Sequence, residues 1–349
     1  MLKQLDLRNV TAFGDAHLEF APGLNVIVGE NATGKTHLLK LAYSIQSVLA
    51  EGGRGREEER EPTKAILQPR LADKLVGVFK PDSLGRLARR QQGQSRGYVS
   101  ARFEDKRWNI DFDFHTQSKS EVTVTRLPDA WLDKPPVYLP TRELLTIYPG
   151  FVSVYENHYL EFEETWRDTC VLLGAPTLKG AREERARELL KPLEELMGGR
   201  VVLENGRFYL RQPGRGNLEM GLVAEGWRKI ATLVQLIVTG SLLEQGYLYW
   251  DEPESNLNPR LIRAVAEAIL SVAEQGIQVV LATHSLFLLR EIDIAAERRG
   301  KGAARQRYFA LSQGEAGVEV SQADTLEEIH PLALLDAELE QADDYLELE

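Results

Sequence analysis

The sequence predicts an α/β protein: a mixed or parallel β-sheet flanked by helices, with an inserted α+β segment carrying a short helical hairpin. Two observations point there first. The apolar run LNVIV at 24–28 reads as a buried strand, residues 29–34 break it, and a helix follows with Leu38, Leu41, Ala42, Ile45 and Val48 on one stripe. Farther along, helix and strand alternate: a helix over 227–243, a strand at 247–250, a helix over 260–274 and a strand at 278–282. Such alternation implies parallel strands covered by helices.

The remaining elements follow in order. Leu5 and Leu7 alternate with Asp6 and Arg8, and Leu18 and Phe20 flank Glu19, so the chain opens on a strand pair. Residues 51–63 and 91–97 are charged or glycine-bearing without an apolar period and read as loops. Trp108, Ile110, Phe112 and Phe114 mark strands between 98 and 125, and VYLP at 137–140 is one more. Phe162, Trp166, Cys170 and Leu173 share one helical face. Leu189, Leu190, Leu193 and Leu196 share another, with Pro192 as a kink. Each helix would run about 18 residues, on the order of 25 Å. Asn205-Gly206 between apolar runs predicts a hairpin over 201–210. The expected organisation is a split core (1–50 and 215–330), an insertion (51–214) and an acidic tail (331–349). Within the insertion the strands lie at about 98–140 and a short helical arm at about 155–197.

Bulk properties exclude several classes. The 349 residues carry a net charge of -11, so a whole-molecule electrostatic grip on nucleic acid is excluded and any such contact needs a local basic patch. One cysteine, Cys170, allows no disulfide within the chain and no cysteine-rich metal site. No secretory signal and no run of about 18 uncharged apolar residues is present, so the expectation is a cytoplasmic protein without a membrane role.

Residues 29–36, GENATGKT, fit G-x-x-x-x-G-K-[ST] with a strand before and a helix after. Gly29 and Gly34 let the backbone wrap closely, so that N–H groups of Asn31, Ala32 and Thr33 face phosphates. The helix start adds positive partial charge. Lys35 can reach the outer phosphates of ATP, and the Thr36 hydroxyl can ligate Mg²⁺. Downstream, the strand YLYW ends in Asp251-Glu252. Asp251 would hold the metal, and Glu252 would orient and deprotonate the attacking water. His284 stands at the end of the strand VVLAT; the resemblance of these motifs to ABC-type ATPases implies that it is the switch histidine, which donates to the terminal phosphate or to that water.

These motifs in this order, together with DEPESNLNP at 251–259, resemble an ABC-type ATPase, a P-loop NTPase head. The opening LDLRNVTAFGDAHLEF narrows the resemblance to the SMC, RecF and overcoming-lysogenization-defect group rather than to transporter subunits. The resemblance implies that Ser255, Asn256 and Leu257 form the D-loop. It also implies that Ala224, Glu225, Gly226, Arg228 and Lys229 occupy the signature segment that meets the nucleotide of a second copy. Ala224 stands where the family has serine, which removes a hydrogen bond worth about 1.5–3 kcal/mol and implies slow turnover. Arg142 and Glu143 sit at the family's glutamine-loop position, without a glutamine.

The resemblance further implies a head-to-tail homodimer, or a higher oligomer, that gates a separate effector such as a nuclease in anti-phage defence or genome maintenance. The expectation is a head without a long coiled coil or an attached nuclease domain. The alternative is a RecF-like DNA-binding repair ATPase. It rests on two basic stretches: Arg86, Arg89, Arg90, Arg96, Arg102 and Arg107, then Arg298, Arg299, Lys301, Arg305 and Arg307.

Overall fold

The computed structural model describes residues 1–52, 61–90, 95–158, 160–243 and 246–346. The loops expected at 51–63 and 91–97 therefore fall largely outside the described residues.

A six-stranded sheet forms the centre, in the order β14-β13-β3-β12-β11-β7. Its members are β3 (Leu24–Gly29), β7 (Pro136–Leu139), β11 (Tyr247–Asp251), β12 (Gln278–Thr283), β13 (Gln306–Gly314) and β14 (Gly317–Ala323). Five run parallel, and β14 returns antiparallel along β13. Successive residues of these strands feed two different cores. Val26, Leu248, Trp250 and Leu281 join one, while Ile27, Tyr249, Val280 and Phe309 join the other. That explains why these strands read as unbroken apolar runs rather than alternating ones.

The first core is closed by α4 (Glu164–Leu173), α5 (Ala181–Met197), α6 (Glu225–Val238), α7 (Pro259–Glu274) and α8 (Leu286–Arg299). Asn258 caps α7 by accepting from the Leu261 amide at 3.1 Å, with Pro259 at the first helical position. Ser285 caps α8 in the same way at 3.2 Å. The second core is closed by α1 (Lys35–Glu51), α2 (Lys64–Phe79) and a five-stranded antiparallel sheet. That sheet has the order β2-β1-β4-β5-β6, from β1 (Leu2–Val10), β2 (Phe13–Glu19), β4 (Arg96–Phe103), β5 (Ile110–His115) and β6 (Thr123–Arg126). Gln278, fully buried on β12, bonds both the amide and the carbonyl of Leu2, at 2.9 and 2.7 Å, and so staples the outer sheet to the central one.

The 51–214 stretch, expected as an insertion, is instead interwoven with the rest. It supplies the edge strand β7, the strands β4–β6 beside β1, and three of the covering helices, α2, α4 and α5. The expected pair of long helices is also corrected. Three helices stand there: α3 (Tyr148–Asn157), α4 and α5, with α3 and α4 only 10 residues each. α4 and α5 lie flat on the core because Cys170, Leu173, Ala186 and Leu193 are all buried in it. Helix α2 was not expected, although Leu67, Leu71, Leu75 and Val78 hold helical spacing; Pro69 inside it masks the pattern. A buried ammonium fixes its place: Lys74 binds Glu164 at 2.8 Å and Asp168 at 2.7 Å, and Tyr43 donates to the same Asp168.

The hairpin of β8 (Arg200–Glu204) and β9 (Arg207–Gln212) forms with Asn205 and Gly206 both at positive φ, 49° and 74°, and β10 (Gly216–Glu219) extends it. Near the end of the chain, α9 (Ala333–Leu346) carries the acidic residues; 347–349 lie outside the described residues. No helix among the described residues is long and apolar enough to cross a membrane.

Candidate nucleotide site

The C-terminal ends of β3, β11 and β12 meet at one edge of the central sheet, the position where open α/β sheets bind ligands. β3 ends at Gly29, and the chain reverses through 30–34 into α1. A Cβ on Gly29 would lie 2.7 Å from the Leu311 carbonyl, and Gly34 has φ +85°, so both positions require glycine. Ala32 is also left-handed, φ +66°, and its carbonyl accepts from Gln313 Nε2 at 3.2 Å. Thr33 is buried and donates to the Glu30 carbonyl at 2.8 Å, while Asn31 and Ala32 are exposed. Lys35 is 6 % exposed and donates to the carbonyls of Gly29 and Glu30, each at 2.7 Å. Burial holds its pKa below the usual lysine value, against the opposing pull of Glu252 and Asp251.

The acidic pair is placed beside this loop. Thr36 Oγ1 donates to Asp251 Oδ2 at 2.9 Å and lies 3.1 Å from Oδ1. Asp251 is 6 % exposed, and burial pushes its carboxyl up to about 6 despite the Thr36 bond, which lowers it. Glu252 leaves the strand with φ +47° and turns its carboxylate to His284, whose Nδ1 is 3.1 Å from Oε1. His284 is exposed at the strand end. A hydroxyl and a carboxylate, both hard oxygen donors, fit Mg²⁺, which takes one or two protein oxygens and fills its octahedron from phosphate and water.

Several neighbours in this pocket were not singled out from sequence. Thr141 Oγ1 lies 3.5 Å from Asp251 Oδ2, one residue before the glutamine-loop expectation. Of that expectation, Arg142 is exposed and Glu143 pairs with Arg228 at 3.0 Å. Glu254, 6 % exposed, accepts from Thr283 Oγ1 at 2.6 Å and from the His284 amide at 3.2 Å, fixing the end of β12. In the sequence it stands as the third acid of DEPE, without a role of its own. Lys40, one turn beyond Thr36, binds Glu163 at 2.5 Å; both charges act on Asp251.

The signature residues lie at the start of α6, against the loop 252–257 of the same chain. Ala224 and Glu225 are exposed, and Glu225 accepts from Asn256 Nδ2 at 3.0 Å. Gly226 is buried, and a Cβ there would sit 2.8 Å from the Asn256 carbonyl and 3.1 Å from Leu257 Cδ2. Lys229 does not point outward toward a second copy: it is 5 % exposed and donates to the Glu252 carbonyl at 2.5 Å and to Ser255 Oγ. Burial pulls its pKa down to about 8.

Much of the basic inventory is neutralised within the chain. Arg86 pairs with Asp82, Arg96 with Asp113, Arg102 with Asp111 and Arg107 with Asp105. Arg299 pairs with Glu267 and Glu274, Arg307 with Asp324 and Glu19, and Arg89 donates to the Ala12 carbonyl.

Residues 24–290 match the family model described as "AAA domain, putative AbiEii toxin, Type IV TA system". Among curated proteins, the DNA replication and repair protein RecF of Streptococcus uberis is 39 % identical over 67 residues, 19 % of this chain and 18 % of that protein. RecF of Pediococcus pentosaceus is 50 % identical over 44 residues, 13 % of this chain and 12 % of that one. The chain thus matches under a fifth of the length of these relatives. Among solved structures, an Smc head with an extended coiled coil, bound to the C-terminal domain of ScpA from Pyrococcus furiosus, superposes with a TM-score of 0.53 at 10 % identity. That match covers 99 % of this chain and 98 % of the other. An Smc head bound to the C-winged helix domain of ScpA gives 0.52 at 13 % identity, over 93 % and 98 %. With well over half of its length matched by that model, the chain belongs to this AAA domain family, and its fold is that of the Smc heads.

Proposed function

We propose that the chain binds ATP with Mg²⁺ and hydrolyses it, and that the nucleotide state gates a separate effector protein. The observation that carries the chemistry is the contact of Thr36 with Asp251, with Glu252 and His284 alongside. Backbone N–H groups over 29–34 and the Lys35 ammonium take the phosphates. Thr36 and Asp251 hold the cation, which when bound neutralises phosphate charge. Glu252 orients and deprotonates the attacking water. His284 donates to the terminal phosphate or to that water. Positioning and charge stabilisation account for most of the rate in phosphoryl transfer, so these few groups suffice.

The exposed start of α6 at Ala224 and Glu225 faces a second copy in a head-to-tail dimer, joining its helix N-terminus to the partner's phosphates. The Smc heads of similar fold are bound to domains of ScpA, which supports a protein partner for a head of this build. A nuclease in anti-phage defence or genome maintenance is the effector we favour. Glu252→Gln tests the chemistry: ATP stays bound and turnover is abolished. Parental turnover in that variant defeats the reading. Proteins recovered with the ATP-trapped variant identify the effector.

The RecF relatives favour a second reading, a DNA-bound repair ATPase. It requires duplex binding that weakens steeply with added salt. The intrachain pairing of Arg96, Arg102, Arg107, Arg299 and Arg307 counts against it.

A further inference from the structure

Glu252 occupies a backbone conformation that residues with side chains rarely adopt, φ +47°. Such a conformation persists only where its surroundings over-determine it. Here the Glu252 amide donates to the Ala282 carbonyl at 2.9 Å, and its carbonyl accepts from the Ser255 amide at 3.2 Å and from Ser255 Oγ at 3.0 Å. Ala282 lies on the neighbouring strand β12, and Ser255 in the loop that follows Glu252. Lys229 reaches in from another element, α6, and places its ammonium on the same carbonyl at 2.5 Å. It also donates to Ser255 Oγ and lies 3.5 Å from the Ser255 carbonyl.

A buried ammonium carries a large desolvation cost, and a methionine would fill the same space without it. What the ammonium adds is several donors converging on the two ends of the 252–255 turn. The first turn of α6 is pressed against the same loop through Gly226 and through the Glu225–Asn256 bond. α6 and the Glu252 peptide are therefore joined through Lys229.

We propose that Lys229 is a positioning residue for Glu252: it sets the peptide that aims the carboxylate and transmits any displacement of the α6 start to it. This rests on the reading above that Glu252 acts on the attacking water.

The test uses the full chain with Lys229→Met and Lys229→Arg, beside Glu252→Gln. Steady-state turnover with Mg²⁺–ATP, affinity for a fluorescent ATP analogue and melting temperature are measured. We expect Lys229→Met to lower kcat about tenfold to a hundredfold, the size of one hydrogen bond to a charged group. KM and nucleotide affinity stay within about threefold, the melting temperature holds, and Lys229→Arg recovers part of the loss. Parental kcat in Lys229→Met overturns the proposal. So does a joint fall of kcat and affinity, or an arginine variant no better than methionine. If Lys229→Met melts early, its kcat and nucleotide affinity are measured well below its melting temperature, beside the parent at the same temperature; parental kcat there overturns the proposal equally. Loss of turnover in Glu252→Gln with full activity in Lys229→Met sinks this inference alone. Full activity in Glu252→Gln sinks the reading of the site itself.

Discussion

The Thr36 hydroxyl lies 2.9 and 3.1 Å from the two carboxylate oxygens of Asp251, a residue 215 positions away. One residue comes from the start of a helix and the other from the end of a strand two places over in the sheet. Their meeting makes a single oxygen-lined spot at the mouth of the phosphate loop.

Asp251 in that spot is ionised at a cost. Burial pushes its carboxyl up to about 6 in the folded chain, against 3.8 for a free aspartate. Between those values the folded state holds the proton and the unfolded state does not, so stability falls as pH rises through the window and the cost is complete above it. Asp251→Asn is expected to be more stable than the parent at pH 7 by on the order of 2 kcal/mol. Urea unfolding at pH 7 and pH 4 measures this, with the advantage shrinking at the lower pH. The same variant loses Mg²⁺-dependent turnover.

His284→Ala removes the ring beside Glu252 and leaves the phosphate loop intact. Turnover is expected to fall about tenfold to a hundredfold, the size of one hydrogen bond to a charged group, with ATP affinity preserved. Phosphate release under saturating ATP, paired with equilibrium binding, separates the two quantities.

Gly226→Ala places a methyl 2.8 Å from the Asn256 carbonyl. Overpacking of this kind costs about 1–3 kcal/mol, partly offset by about 1 kcal/mol of helix propensity. A melting temperature lower by a few degrees is expected. An unchanged melt would mean that the 252–257 loop yields freely.

Glu143→Gln leaves the Arg228 guanidinium largely buried without its anionic partner, since the two side chains are 6 % and 19 % exposed. Breaking a buried pair from one side costs about 3–5 kcal/mol; the partial exposure of Arg228 places the expected loss nearer 2 kcal/mol. Chemical denaturation of the variant reads it directly.

The nucleotide loop, the acidic pair and the parallel strands were legible because each rests on local rules: glycine where the backbone must turn back, an apolar run where both faces are covered, carboxylates at a strand end. Lys229 was legible only as a charge. Its inward direction depends on where α6 packs relative to the 252–255 turn, which no spacing encodes. Arg102 and Arg96 looked like a basic patch because their partners, Asp111 and Asp113, come from a neighbouring strand and meet them only through register. The helices at 148–197 were misjudged in number because α3 carries no apolar stripe: Pro149 and Gly150 break its start, and Phe151 is its one buried residue.

Tyr249 and Trp250 are adjacent in sequence yet packed in separate cores, and the same holds for Val280 and Leu281. A deletion or insertion of one residue within either strand would exchange the two environments at a stroke, offering tyrosine hydroxyls to an aliphatic layer and an indole to the layer of α1. Transplanting this nucleotide loop into another scaffold would accordingly require both surrounding layers to travel with it.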